Sequence, residues 1–490
     1  MRRGLRRSDP AAVVCCLLAA TTALGQDDAD TIRRLERQLR ELDQAFRLAI
    51  PQDQPISERL MLDYGGSVRF GLLAVDDEVG TTRLLRQTDG ILYLRAELDG
   101  AHRFFGRLRF LYNDFNSGDS FDGDGDELEE PIGDRYWYQF DLRGAKLAET
   151  GERPDYNVNL KAGRQFLQWG SGLALSEVLY AGRLDVEISD IGVIGLVGLT
   201  PSTGTIDFDG SRPGFDRDTD RAFFGGAVEY RGLENHVPYF SALVQRDHND
   251  RNYRVFSTDV GDFPTRFNYD SEYYAIGSRG TLGPQLSYRI ELVHERGEGL
   301  SSPFDRRTAE RLEQRSEDID AWAGILGLTY LFRDDHDSRL DLEFLGASGD
   351  DDRLDPSDTF GGNAPGTEDN AFNGLGYAYT GLALAPELSN LLSLRLGYST
   401  TPDFSPDWAD WLRVGVSGFL FLKADADAPL SVQTESSTLV GGEVDLFMDW
   451  RLLSDLSAVV RYGVFLPGHA IPEDRDDFRH FFYAGLNYAF

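Results

Sequence analysis

From Tyr64 to the last residue, apolar and polar positions alternate with a period of two. In RFFGRLRFLYN, Phe104, Gly106, Leu108, Phe110 and Tyr112 share one face, while Arg103, Phe105, Arg107, Arg109 and Asn113 share the other. RYWYQFDLR sets Tyr136, Tyr138, Phe140 and Leu142 against Arg135, Gln139, Asp141 and Arg143. The same division recurs in YNVNLKAG, QLSYRIELVHE, RLDLEFLG, LLSLRLGYS, WLRVGVSGFLFLK, GGEVDLFMDWRL and SAVVRYGVF. Each run is roughly nine to twelve residues, the length a tilted strand needs to cross a bilayer. Short breaks such as DGAH, RGLEN and LGP alternate with long polar stretches such as GASGDDDRLDPSDTFGGNAPGTEDN. Short turns at one end and long loops at the other mark an outer-membrane barrel. A soluble sandwich alternates too, but seldom needs so many strands of this length.

Nineteen windows qualify as strands, from 65–74 to 479–490, with 373–383 among them. A bacterial single-chain barrel takes an even number, so one window is surplus. The expected fold is all-β: an eighteen-stranded transmembrane antiparallel barrel over residues 64–490, preceded by a short helix. The chain closes on HFFYAGLNYAF, with Leu486, Tyr488 and Phe490 on one face. A barrel must pair its last strand with its first so that no edge remains in lipid. This terminal pattern is similar to the signal that barrel-assembly machinery reads.

Ahead of the barrel, four arginines precede an apolar run from Ala11 to Ala20 and a small-residue stretch ending at Gly25. That layout predicts a signal peptide over residues 1–25, too short to span a bilayer as a helix. It contains both cysteines, Cys15 and Cys16, so the mature chain has no thiol chemistry. Over 26–63, Ile32, Leu35, Leu39, Leu42 and Phe46 follow a heptad spacing that stops at Pro51. These positions predict a short periplasmic helix and linker.

The formal net charge of −33 excludes nucleic acid as a partner. Loss of the signal segment removes four Arg and one Asp and brings the charge to about −36. With twenty-one Tyr and thirty-one Phe the chain is not acidic disorder. Alternation places Arg69, Arg95, Arg107, Arg109, Arg143, Lys161, Arg289, Arg395, Arg413 and Arg461 toward the lumen. Rings of basic residues favour anions, and the guanidinium fork suits carboxylates. Glu97, Asp141, Asp185, Glu229, Glu291, Asp341, Glu443, Asp445 and Asp449 share that face and could neutralise them. Asp122, Asp124 and Asp126 resemble a calcium loop but lack its Gly and Glu positions. No cofactor is indicated. A hydrolase barrel is weighed as well, although there is no Gly-x-Ser-x-Gly elbow and the seven histidines show no metal spacing.

AFNGLGYAYTGLALAPELSNLLSLRLGYS, VGGEVDLFMDWRLLSDLSAVVRYGVFLPGHA and the closing strand are similar to the alginate-export family of outer-membrane porins. LKAGRQFLQWGSG resembles that family's Gly-Arg-Gln strand, here Gly163, Arg164 and Gln165. The resemblance implies an eighteen-stranded barrel through which an acidic exopolysaccharide leaves by an arginine-lined constriction. It further implies loops folded in as gates and a periplasmic secretion scaffold as a partner. Arg164 is out of register with the other basic positions, and a bulge would turn it inward. The expected protein is a non-enzymatic passive channel in the outer membrane of a Gram-negative-type bacterium, bounded by outer-membrane lipid and conducting alginate-like polysaccharide. A general or nutrient-uptake porin for small solutes is the alternative.

Overall fold

A computed structural model of the chain describes residues 60–77, 80–120, 125–151, 153–403 and 411–490. The first strands are β1 (Leu60–Asp76), β2 (Thr82–Leu98), β3 (His102–Phe115) and β4 (Glu127–Asp141), followed by a helix, α1 (Leu142–Thr150). Next come β5 (Tyr156–Trp169), β6 (Leu175–Ile188), β7 (Ile191–Leu199), β8 (Arg221–Tyr230) and β9 (His236–Asp247). A separate hairpin, β10 (Tyr253–Thr258) and β11 (Gly261–Arg266), stands outside the barrel sheet. The second half holds β12 (Tyr269–Thr281), β13 (Leu286–Leu300), β14 (Ser316–Leu331), β15 (Arg339–Ala347) and β16 (Leu391–Thr400). It ends with β17 (Trp411–Lys423), β18 (Leu439–Arg451), β19 (Leu456–Pro467) and β20 (Arg479–Ala489).

Eighteen of these strands form one antiparallel sheet in which each pairs with its neighbours in sequence, β9 with β12 across the hairpin. The sheet closes where Ser67 to Val75 of β1 lie opposite Ala489 to Phe481 of β20. The Phe490 amide donates to the Gly66 carbonyl at 3.0 Å, and the Gly66 amide to Phe490 at 2.9 Å, so pairing runs to the last residue. No strand edge is left in lipid, as backbone amides in hydrocarbon require.

Alternation settles which face meets lipid. Phe70, Leu94, Phe104, Val197, Phe240, Ile276, Leu396 and Leu446 are exposed on the outside, with Tyr64, Tyr136, Tyr230, Tyr330 and Tyr488 near strand ends. Such a continuous apolar band edged by aromatics is a lipid surface. Leu486, Tyr488 and Phe490 belong to it.

The surplus window is 373–383. It is not a strand but part of the long connection 348–390 between β15 and β16, which lies against inward-facing wall residues. The expected N-terminal helix falls outside the described residues, and β1 starts at Leu60. Among the described residues the one α-helix is α1, between β4 and β5. Asp141 caps it by accepting the Gly144 amide at 2.6 Å, and Gly151 ends it in the left-handed region at φ 72°.

Candidate functional site

Two connections at the long-loop end turn into the barrel and meet there. The turn 170–174 between β5 and β6 lies against residues 375–377: the Ser176 amide donates to Leu375 at 2.8 Å and the Tyr377 amide to Gly172 at 2.9 Å. A side chain at Gly376 would collide with the Leu173 carbonyl, so the approach requires glycine there.

Carboxylates on the wall hold this assembly. Glu443 of β18 accepts three consecutive amides, from Leu382 at 2.5 Å, Ala383 at 2.7 Å and Leu384 at 2.8 Å. Glu295 of β13 accepts the Asn373 amide and the Tyr269 hydroxyl, both at 2.9 Å. Glu291 of β13 accepts the Ser171 amide at 3.0 Å, the Ser171 hydroxyl and, at 2.6 Å, the Tyr239 hydroxyl. Asp445 accepts the Tyr379 hydroxyl at 2.7 Å. Three amides from adjacent residues converging on one carboxyl fix the segment at three consecutive points.

A second, fully buried network ties the loops to each other. Arg212 and Arg221 each donate to Asp207 at 2.8 Å, and Arg212 also donates to Asn249 at 2.7 Å. Burial alone would raise the Asp207 carboxyl, but the Arg221 and Arg212 guanidiniums outweigh it and hold the group below the usual carboxylate range. Gly210 and Thr359 join 200–220 to 348–390 through Asp358 (2.7 Å) and Asp209 (2.6 Å).

The basic positions line the wall largely as alternation implies. Most are paired, and several carboxylates serve two cations each. Asp89 lies between Arg69 at 2.6 Å and Arg109 at 3.1 Å. Glu97 takes Arg95 at 3.0 Å and Arg103 at 3.2 Å, and Glu229 takes Arg231 at 3.0 Å and Arg279 at 2.7 Å. Glu343 takes Arg289 and, at 3.7 Å, Arg395. Sharing leaves a positive surplus at Asp89, Glu97 and Glu343, while Arg231 also reaches Glu187 at 2.7 Å. Arg107 pairs with Asp134, Arg183 with Asp185 and Arg461 with Asp449. Lys161 lies over the Trp137 ring at 4.1 Å, and Arg413 donates to the Ser399 hydroxyl at 2.7 Å. Among the described residues, neither has a carboxylate within ion-pair distance.

Beside Tyr379 and Leu382 opens a cavity of about 270 Å³ lined by Arg339, Arg395, Arg413 and Arg461 with Asp341, Asp445 and Asp449, Arg339 being paired to Asp341 at 2.6 Å. A neighbouring one of about 250 Å³ adds Arg289 and Glu343. The in-folded connection thus stands over a wall on which β13, β15, β16, β17 and β19 each bring a guanidinium.

A family model described as alginate export matches residues 205–484, more than half of the chain. The chain belongs to the alginate export family. The family match takes in β8 to β19 and the first part of β20, and so the whole 348–390 connection and the Glu443 contacts. Solved structures with a similar fold include OccK11 (OpdR) of Pseudomonas aeruginosa, 13% identical over 87% of this chain and 95% of that one, with a TM-score of 0.49. OccAB1 of Acinetobacter baumannii is another, 10% identical over 88% and 96%, also with a TM-score of 0.49. No curated protein matches. Barrel and family together make this member of the alginate export family an outer-membrane channel.

Three expected positions fall elsewhere. Arg143 is not on a wall strand. It lies in the first turn of α1, at the short-turn end, with Glu187 at 3.4 Å. Arg164 is not turned inward: its cross-strand partners are the lipid-facing Tyr136 and Tyr180, and no register shift accompanies Gly163. It is buried because it donates to the Thr203 carbonyl at 2.7 Å, beneath a loop that covers this part of the outer face. Asp126 accepts the Phe115 amide at 2.9 Å and so closes its own loop, while Asp122 and Asp124 lie outside the described residues. Alternation also marked Glu291, Glu443 and Asp445 only as partners for arginine. Their amide and hydroxyl partners carry no signal in the sequence, because they lie 52 to 120 residues away, on the in-folded connections and, for Tyr239, on β9.

Proposed function

We propose that this channel conducts an acidic, alginate-like polysaccharide outward across the outer membrane. The observation that carries the reading is the guanidinium wall formed by Arg289, Arg339, Arg395, Arg413 and Arg461 beside the in-folded connection. Guanidiniums from adjacent strands let a chain of carboxylates pass from one to the next, each bound loosely enough to leave. Family membership supports a conduit rather than a hydrolase. Narrowing of the lumen by 170–174 and 372–389 favours a second reading, a porin for small solutes. Reversal potentials across a salt gradient in planar bilayers, followed by addition of oligouronates, separate the two. Anion selectivity with current block that weakens in Arg413→Ala and Arg461→Ala is expected. Cation selectivity, or indifference to oligouronates, overturns the polysaccharide reading and leaves the porin.

A further inference from the structure

On the lumen face, three adjacent strands carry an unbroken row of rings, and a fourth continues it with an ammonium. Tyr93 of β2 and Phe105 of β3 have centroids 6.5 Å apart with planes 19° from parallel. Phe105 and Trp137 of β4 follow at 5.5 Å and 22°. The Lys161 ammonium of β5 ends the row, 4.1 Å from the Trp137 centroid. All four face inward, since their sequence neighbours Leu92, Leu94, Phe104, Tyr136 and Leu160 are exposed to lipid. The row runs diagonally. Tyr93 is opposite Arg107 rather than Phe105, and Lys161 is opposite Gln139 rather than Trp137. It therefore steps two residues toward the short-turn end at each of these junctions.

The rings are half-buried, and none belongs to the clusters that the in-folded loops build against the wall. Each ring is half-buried against its cross-strand neighbours, and the apolar surface that remains faces the aqueous passage. Cations bracket it at two-residue spacing on the same face: Arg95 beside Tyr93, Arg103 and Arg107 beside Phe105, and Arg135 beside Trp137. A row of lumen-facing rings edged by cations fits one kind of polymer, whose repeating unit has an apolar face and a carboxylate rim. A pyranose uronate is such a unit: its axial C–H bonds pack on the electron-rich ring face, and its carboxylate reaches the cations.

We propose that Tyr93, Phe105, Trp137 and Lys161 form a saccharide-binding strip, which takes the C–H face of pyranose rings while the flanking cations hold their carboxylates. The strip deepens the acidic-polysaccharide reading and rests on it for the charge of the cargo, but not for its pyranose character.

The full chain in planar bilayers tests it, with dwell times of current block measured for three hexamers: a uronate, a neutral glucan and glutamate. Trp137→Leu and Phe105→Leu are expected to shorten the uronate and glucan blocks about three- to tenfold and leave the glutamate block unchanged. Trp137→Phe, which keeps a ring, is expected to retain most of the dwell time and guards against a folding defect. Unchanged pyranose dwell times, or an equal loss for glutamate, overturn the strip. If glucan but not uronate blocks the wild type and Trp137→Leu relieves it, the strip stands and the acidic cargo falls. If neither pyranose hexamer blocks the wild type, the strip falls as well.

Discussion

On β2 to β6 the wall carboxylates stand among guanidiniums: Asp89 between Arg69 and Arg109, Glu97 between Arg95 and Arg103, Asp185 beside Arg183. On β13 and β18, residues of the same type face the same lumen, yet among the described residues Glu291, Glu295 and Glu443 have no arginine within ion-pair distance. They hold backbone amides of connections folded in from the long-loop end. A carboxylate shared by two arginines tunes the charge of an open wall. One that collects amides fixes a segment across it. The difference lies in which partner the tertiary structure delivers, since the strands themselves place all six carboxylates alike.

Substitutions on the two walls should therefore give different kinds of defect. The largest effect is expected at Glu443→Ala, which strands three amides and costs on the order of 3 kcal/mol or more at the 372–389 segment. Single-channel conductance should rise and that segment should become open to protease, while the folded barrel still migrates as such in detergent gels. Unaltered conductance and protection would show that Glu443 does not hold the segment. Asp207 combines both uses, with two arginines and the Asp209 amide at 3.0 Å as donors. Removal of one partner from a buried ion network costs about 3–5 kcal/mol, so Asp207→Ala should loosen the 200–220 and 348–390 connections in limited proteolysis.

The Asp207 carboxyl is held below its unfolded value. Its contribution is therefore complete above the unfolded value of about 3.9 and disappears as pH falls through the lower folded one. Loop protection in the wild type should persist to below about pH 4, and Asp207→Ala should lack that acid step. The smallest effect is expected on the open wall. Glu97→Gln leaves Arg95 and Arg103 without their shared carboxylate and adds one net positive charge, worth about 1–2 kcal/mol at about 10 Å before salt screening. Reversal potentials should move toward anions with conductance and loop protection unchanged. Movement toward cations would contradict the shared-carboxylate account.

Legibility followed the same division. Strand positions were readable because the pleat itself imposes the period of two, and the closing contact of Phe490 with Gly66 satisfies the requirement that no edge remain. The 373–383 window misled because burial against a lumen wall asks for the same apolar content as exposure to lipid. Phe372, Leu375 and Leu382 are buried to 5% exposure or less inside the barrel. Arg164 misled for a related reason: Gly163 takes a φ of 134°, yet the pairing on both sides keeps its register. A covering loop, rather than a bulge, removes that guanidinium from lipid.

Local alternation was enough to determine the barrel, its lipid face and the inward direction of most of its basic residues, because each of these depends only on neighbours along one strand, whereas the count of eighteen needed the even-number rule as well. Tertiary structure alone decided which carboxylates quench arginines and which anchor loops, and it alone aligned Tyr93, Phe105, Trp137 and Lys161 into one row. Those outcomes depend on partners brought from other strands and loops, Ser171 to Glu291 across 120 residues for one, and no pattern within a single strand encodes which partner will arrive.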